Sequence, residues 1–366
     1  MTGMLLRLAV VALVAATLLV AAAEAKPKTQ WFELEEVGYS FDDFVREYQP
    51  RYASPEEHAM RQKLFESRLS EIKAHNRDPT KTWKMGVNHL TDRTAEEQRA
   101  LLGYDKSVGH TLRQSRRPPV WSAPLGVESL PSRVDWREQG IVSPVKDQGK
   151  CGSCWTFAAA ETLESAYAKK TGQLFTLSEQ QILDCTPNPD ECGGTGGCHG
   201  GTVELAYTRL VAFEQGLATE WTYPYTSYFG EAFQCRFNAS RTKVAAKVGS
   251  YVVIPSNKYT PLLQAVATLG PIAISVDAST WHNYEGGVYD GCNQTNPDIN
   301  HAVQLVGYGT DEKTGQDYWL VRNSWGPAWG ENGYIRVKRQ SNPTCGIDLT
   351  PRVRLPLLHF VDDQKY

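Results

Sequence analysis

Three side chains in this sequence have the chemistry of covalent acyl transfer: the thiol of Cys154, the imidazole of His301 and the amide of Asn323. A cysteine is a strong nucleophile only as its thiolate, and an unperturbed thiol is mostly protonated at neutral pH. A helix N-terminus and a neighbouring imidazolium both lower its pKa. Cys154 has the first device, because the Ala-, Leu- and Glu-rich run 155–170 that follows reads as a helix stopped by Gly172. The second has to come from elsewhere, since no histidine is close in sequence. His301 opens the strand-like run Asn300-His301-Ala302-Val303, which would hold its ring rigidly. Asn323, in Arg322-Asn323-Ser324-Trp325-Gly326, offers an amide oxygen to orient that ring, with Trp325 shielding the bond from water. Singly, each of these residue types is more often structural; the set acquires meaning only if folding assembles it.

The elements that would assemble it fall into two stretches. Residues 26–129 contain no cysteine, whereas 130–366 contain all eight. Just before the change, Ser115-Arg116-Arg117-Pro118-Pro119 is polar, dibasic and proline-bearing, and reads as an exposed linker. The first stretch is helical: Ser54-Pro55-Glu56-Glu57 is a helix start, followed by Met60, Leu64 and Ile72 with Phe65 and Leu69 beside them. A shorter helix begins at Ser40-Phe41-Asp42-Asp43-Phe44. In the second stretch, Ser178-Glu179-Gln180-Gln181 opens a short helix through Leu183. Beyond about residue 240, runs such as 303–306, 318–321 and 334–337 alternate with glycine-bearing turns and predict antiparallel sheet. The fold class is therefore α+β.

Composition narrows the function. With 38 Lys and Arg against 41 Asp and Glu, the net charge is −3, which lacks the basic excess of a nucleic-acid protein. The one long apolar run, Leu8 to Ala23, is shorter than the roughly 20 residues of a spanning helix. It ends in Ala23-Glu24-Ala25, so residues 1–25 read as a cleaved signal peptide, with no stable membrane anchor. Eight cysteines fit passage through an oxidising compartment. Asn238-Ala239-Ser240 and Asn293-Gln294-Thr295 are glycosylation sequons, while Asn342-Pro343-Thr344 is excluded by its proline.

Gln148-Gly149-Lys150-Cys151-Gly152-Ser153-Cys154-Trp155 resembles the catalytic-cysteine motif of papain-like peptidases. His301 lies 147 residues beyond Cys154, within that family's usual spacing, and Asn323 lies 169 beyond, somewhat further. Asn323-Ser324-Trp325-Gly326 matches the family's asparagine motif. Glu57, Arg61, Phe65, Ile72 and Asn76 match the interspersed prosegment pattern of cathepsin L-like precursors, with Arg68 where that pattern has Asn. Gly86-Val87-Asn88-His89-Leu90-Thr91-Asp92 resembles a second prosegment motif, with Leu90 in place of Phe. Leu130-Pro131-Ser132-Arg133-Val134-Asp135-Trp136 looks like a mature N-terminus.

The resemblance implies a papain-like two-domain fold, with a helical left domain, an antiparallel β-barrel right domain and a cleft between them. An inhibitory prosegment over 26–129 would precede a peptidase domain over 130–366. It implies Cys154 as nucleophile, His301 as general base and then acid, Asn323 as its orienter, and Gln148 with the Cys154 N–H as oxyanion donors. Gly200 and Gly201 would hold the substrate backbone, beside a pocket of Thr202, Val203, Ser275, Ala302 and Thr350, apolar enough to favour an apolar side chain two residues before the cut bond. Trp325 would border the site. It also selects the bridges Cys151–Cys198, Cys185–Cys235 and Cys292–Cys345, leaving Cys192 over. The prosegment would inhibit in cis and loosen in acid as carboxylates, Asp92 among them, lose charge. The expected protein is a monomeric endopeptidase of protein and peptide substrates, made in the secretory pathway for an acidic vacuole, lysosome or export, with no cofactor and no metal.

The same residues admit rival readings. Cys151-x-x-Cys154 with Cys192, Cys198 and His199 has the residue types of a zinc site, and Cys-Gly-Ser-Cys has redox spacing. The secretory reading argues against the first and the lack of a βαβ context against the second. An exopeptidase, or a non-catalytic binding relative, is the alternative; none of the four catalytic positions is substituted.

Overall fold

The computed structural model describes residues 28–105, 119–122, 130–213, 216–255, 258–340 and 347, with the backbone of 354–357. The expected signal peptide, residues 115–118 of the dibasic linker, Thr350 and Cys345 lie outside the described residues.

The N-terminal unit starts where its caps specify. Helix α1 (Phe41–Tyr48) is closed by a reciprocal capping box between Ser40 and Asp43. Helix α2 (Pro55–Arg77) has Ser54 accepting from the Glu57 N–H and proline in its first turn. The two cross through Phe41, Phe44, Phe65, Leu69 and Ile72, which form their own small core with Leu34, Tyr39 and Val87. Arg61, nearly buried, ties Glu57 on its own helix to Glu97 on α3 (Ala95–Ala100). Between them the chain makes a three-residue strand, β1 (Trp83–Met85).

The rest of the chain is a helical half against a sheet. Helix α4 (Cys154–Thr171) begins on the cysteine itself and ends on the left-handed Gly172. Thirteen of its residues are buried, so it is a core helix lacking a polar face over most of its length. Helices α5 (Glu179–Cys185) and α6 (Val203–Phe213) pack on it. Strand β2 (Val134–Asp135) precedes α4; strands β3 (Leu217–Ala218), β4 (Val244–Ala246), β5 (Ser250–Val253) and β6 (Ile272–Val276) follow α6, with α7 (Tyr259–Thr268) between the last two. Strands β7 (Tyr284–Tyr289), β8 (His301–Thr310), β9 (Asp317–Arg322), β10 (Tyr334–Lys338) and β11 (Arg354–Leu357) complete the sheet.

The sheet runs β1-β7-β10-β9-β8-β6-β11-β5, with β2 also on β8. Its pairs are antiparallel except β7 with β10, which is parallel, so the expectation of a wholly antiparallel sheet fails at that seam. Strand β8 is buried at nine of its ten positions, wedged between α4 and its neighbours, which is why it lacks the alternation of a half-exposed strand. Strand β1 of the N-terminal unit is the terminal strand of this same sheet.

Two disulfides, Cys151–Cys198 and Cys185–Cys235, staple the helical half as expected. Cys292 is also disulfide-bonded, its expected partner Cys345 lying outside the described residues. Cys192 is a buried thiol directed at the Asp190 carbonyl, 3.7 Å away.

Phe65 is fully buried against Phe44, Phe41 and Tyr39. Phe65→Ala should cost the N-terminal unit about 3–5 kcal/mol. Limited trypsin digestion should then cut 41–105 well before the disulfide-stapled remainder; equal resistance of the variant and the parent chain would contradict this packing.

Candidate active site

Cys154 and His301 come from opposite halves of the molecule. Gln304 Nε2, on the same strand as His301, donates to the Glu161 carbonyl at 2.9 Å and to Ser165 Oγ at 3.0 Å, fastening β8 to α4. Arg322, at the end of β9, is buried and pairs with Glu161 at 3.3 Å. The backbone N–H of Ala302 then points at Cys154 Sγ, 3.4 Å away.

The imidazole is fixed from one side. Asn323 Oδ1 accepts the Ser324 backbone N–H at 2.8 Å, which identifies that atom as the oxygen. His301 Nε2, also 2.8 Å from it, therefore donates. The proton on Nε2 leaves Nδ1 as the basic nitrogen, and Nδ1 is buried with no hydrogen-bond partner among the described residues. Trp325 lies over the ring with centroids 5.0 Å apart, backed by Trp281 and Trp329. His282 stacks on the same indole, 5.1 Å away. Burial in this aromatic setting pushes the His301 imidazole down to about 4.

The thiol is not the depressed one that a helix N-terminus alone predicts. Complete burial pushes Cys154 up to about 11, against backbone hydrogen bonds from Ala302, Gly103 and Trp155 that act the other way. The physical reason is the N-terminal unit, whose residues 101–105 lie directly on the site. Gln148 Nε2 donates to the Leu101 carbonyl at 2.9 Å and to the Cys151 carbonyl at 2.8 Å, while Ser324 Oγ holds its oxygen at 2.7 Å. Gly201 N–H donates to the Gly103 carbonyl at 3.1 Å, Tyr104 N–H to Asn300 at 3.1 Å, and Asp105 N–H to Gly193 at 3.0 Å. An extended backbone thus runs over the sulfur on donors and acceptors supplied by both halves.

The remaining expected residues divide. Gly201 binds this backbone, but the Gly200 carbonyl accepts from Gly196 within its own loop. The Thr202 hydroxyl caps α6 through the Leu205 N–H. Val203 and Ala302 share one buried cluster with Cys154 and Trp155, and Ser275 pairs across from Ala302. Asn238 and Asn293 are both exposed on turns, each accepting a backbone N–H from its own sequon. Cys151 and Cys198 are spent on a disulfide and so are not zinc ligands. Sequence reasoning missed Leu101, Gly103 and His282, which carry no motif of their own. The Glu161–Arg322 pair was equally hidden, its only signal being ionic residues within otherwise apolar runs.

A thiol, a base held by an amide, a side-chain amide donor and an extended-peptide groove form the arrangement for peptide acyl transfer. Residues 130–354 match the family model described as papain family cysteine protease, and 41–98 match the cathepsin propeptide inhibitor domain. The chain is 38% identical over 346 residues to a cathepsin L-like protein of Caenorhabditis elegans, covering 93% of this chain and 97% of that one. It is 38% identical over 313 residues to cathepsin L of Sarcophaga peregrina, covering 82% and 88%. The structure of digestive procathepsin L 3 from the Tenebrio molitor larval midgut superposes with a TM-score of 0.73 at 33% identity, over 90% of this chain and 99% of that one. The chain belongs to the papain family of cysteine proteases and is a zymogen carrying its own propeptide inhibitor domain.

Proposed function

We propose that the protein is a secretory-pathway cysteine endopeptidase in which Cys154 attacks the scissile carbonyl, His301 moves the protons and Asn323 holds His301 in the working tautomer. The observation that carries this reading is Gln148 donating to the Leu101 carbonyl of the chain that covers the site, since a substrate carbonyl placed there would meet the same donor. With the prosegment in place the thiol is protonated and the imidazole neutral. Departure of residues 101–105 admits water, which lowers the thiol's pKa and raises the imidazole's, and the proton passes from sulfur to Nδ1. The thiolate then adds to the carbonyl, and the Gln148 amide and Cys154 N–H receive the oxyanion. The imidazolium protonates the departing amine, and the neutral ring next takes a proton from water to hydrolyse the thioester.

The proposed bounds are 1–25 for the signal peptide, 26–129 for the prosegment and 130–366 for a monomeric peptidase domain, with glycans on Asn238 and Asn293. Its destination would be a lysosome, an acidic vacuole or the cell exterior. Among the described residues, no helix is long and apolar enough to cross a membrane. Iodoacetamide tests the central claim. It should label Cys154 slowly in the precursor and rapidly after acid processing, with loss of activity in parallel; rapid labelling of the intact precursor would remove the shielded-thiol account.

Val203 and Ala302, which share a buried cluster with Cys154, and Ser275, which pairs with Ala302, would supply small uncharged walls to a pocket beside Gly201. In a fluorogenic peptide panel, Leu or Val two residues before the cut bond should be preferred over Arg. Preference for Arg would refute this assignment of the pocket.

Acid acts on the prosegment through particular carboxylates, and Asp92 is not the one that loosens it. Burial raises its pKa, so the docked form takes up a proton before the released form does, and acid stabilises docking at that group. Glu97 behaves oppositely. Its hydrogen bond with Arg61 holds it down at about 2, so its contribution is complete above the ordinary carboxylate range and drains away as pH falls toward 2. His282 and His301, both held near 4 by burial, add to this below the ordinary imidazole pKa, since only the released form protonates them readily. Glu97→Gln should therefore self-process at a higher pH than the parent chain, while Asp92→Asn should retain acid-triggered processing. Loss of that trigger in Asp92→Asn, read by gel at stepped pH, would reverse the assignment.

A further inference from the structure

The seat that the prosegment strand occupies is a built feature of the peptidase. Strand β1 pairs with β7 at Trp83–Gly287, Lys84–Gly286 and Met85–Tyr284, and β7 bonds β10 on its other side. Without β1, β7 is therefore a sheet edge. Three carbonyls along and beside it face the visiting chain: His282 accepts from Asn88 Nδ2 at 2.8 Å, Asn283 from Gly86 N–H at 2.9 Å, and Val288 from Thr82 Oγ1 at 2.8 Å.

Two glycines of the peptidase make the room. Gly287 has φ +92°, and a Cβ there would stand 2.6 Å from the Thr82 carbonyl oxygen and 2.8 Å from Trp83 Cα. A Cβ on Gly291 would stand 2.7 Å from the Trp83 indole and 3.0 Å from the Tyr289 ring. The indole lies 4.7 Å from the Tyr289 ring and 6.2 Å from that of Tyr284. Three residues after Trp83, Gly86 passes over the Glu285 carboxylate with no space for a side chain. Glu285 is nearly buried, and among the described residues its one ion-pair partner at the seat is Lys28 of the prosegment, 3.9 Å away.

We propose that the processed enzyme keeps this edge as an exosite that captures an extended segment of a protein substrate, with an aromatic side chain in the Gly291–Tyr289 slot and a small residue three positions later. Along the chain, the seat leads directly into the aromatic wall beside His301. The chain that lines it includes His282, stacked on Trp325, and Trp281, whose ring centroid is 6.3 Å from that of His301. A segment added to β7 gains main-chain hydrogen bonds of the β-augmentation kind, and its aromatic residue provides the anchor. A cation on the segment replaces Lys28 opposite Glu285. The site thus selects folded or long substrates by a feature that short peptides cannot reach. The inference rests on the endopeptidase reading above, and its test separates the two.

The probe is a synthetic peptide of residues 80–89, Thr80-Lys81-Thr82-Trp83-Lys84-Met85-Gly86-Val87-Asn88-His89, added to enzyme obtained by acid processing of the full chain. It should inhibit casein hydrolysis while leaving hydrolysis of a dipeptide amide substrate unchanged, and Trp83→Ala in the peptide should weaken that inhibition about tenfold. Gly291→Ala, introduced in the full chain, should raise KM for casein several-fold and leave kcat/KM for the dipeptide amide at the parent value, which also certifies that the variant is folded. Equal inhibition of both substrates, or inhibition of neither, overturns the exosite. Calorimetry of the same peptide against iodoacetamide-treated enzyme reads the seat without catalysis. Binding there supports it even if casein proves not to be a substrate, and no heat from peptide binding overturns it whatever the enzyme cleaves.

Discussion

The backbone amide of Ala302 meets the sulfur of Cys154 across the boundary between a buried helix and a buried strand, and the site exists because that meeting is held to 3.4 Å. Neither residue is fixed by its own neighbourhood. The helix is kept against the strand by Gln304 reaching back to Glu161 and Ser165, and by Arg322 pairing with Glu161 immediately before Asn323. These are polar contacts between buried side chains, where an unpaired group is costly, so the two halves have little freedom to slide. Lys146, with Glu164 and Glu179, continues the same ionic seam into the helical half.

The prosegment inhibits by using the machinery rather than by standing in front of it. The Gln148 amide, the Gly201 N–H and the Asn300 carbonyl all bond to residues 101–104. By excluding water, the same backbone keeps the thiol protonated and the ring neutral, the reverse of the charge states in the mechanism proposed above. Inhibition and latency thus have one cause. Anchorage is remote from the site, in the edge strand Trp83–Met85 and the aromatic core around Phe65.

Much of this was legible in the residues. The helix after Cys154, the Ser54-Pro55 and Ser178 helix starts and the strands around 301, 318 and 334 all follow from local chemistry, because caps and apolar runs act over a few residues. The pairing of His301 with Asn323 was readable only as a possibility of roles, since nothing local specifies a contact over 22 residues of chain. Three features had no local signal at all. Strand β1 is too short to show alternation, and its partner is about 200 positions away. Leu101 and Gly103 act through main-chain atoms, which every residue possesses. The direction of the Asp92 effect depended on burial, which converts an acidic residue of a motif from a group that acid weakens into one that acid favours.

The covered thiol has a bearing on how such a chain survives its own synthesis. Disulfide exchange and sulfur oxidation both proceed through the thiolate and require access. A chain that has to close the Cys151–Cys198 bridge three residues from Cys154 exposes the wrong sulfur to the same oxidants. Once the prosegment lies across it, Cys154 is both sealed and protonated, so mispairing and over-oxidation are suppressed together until the cover is removed. The segment that withholds activity therefore also preserves the redox state on which that activity will later depend.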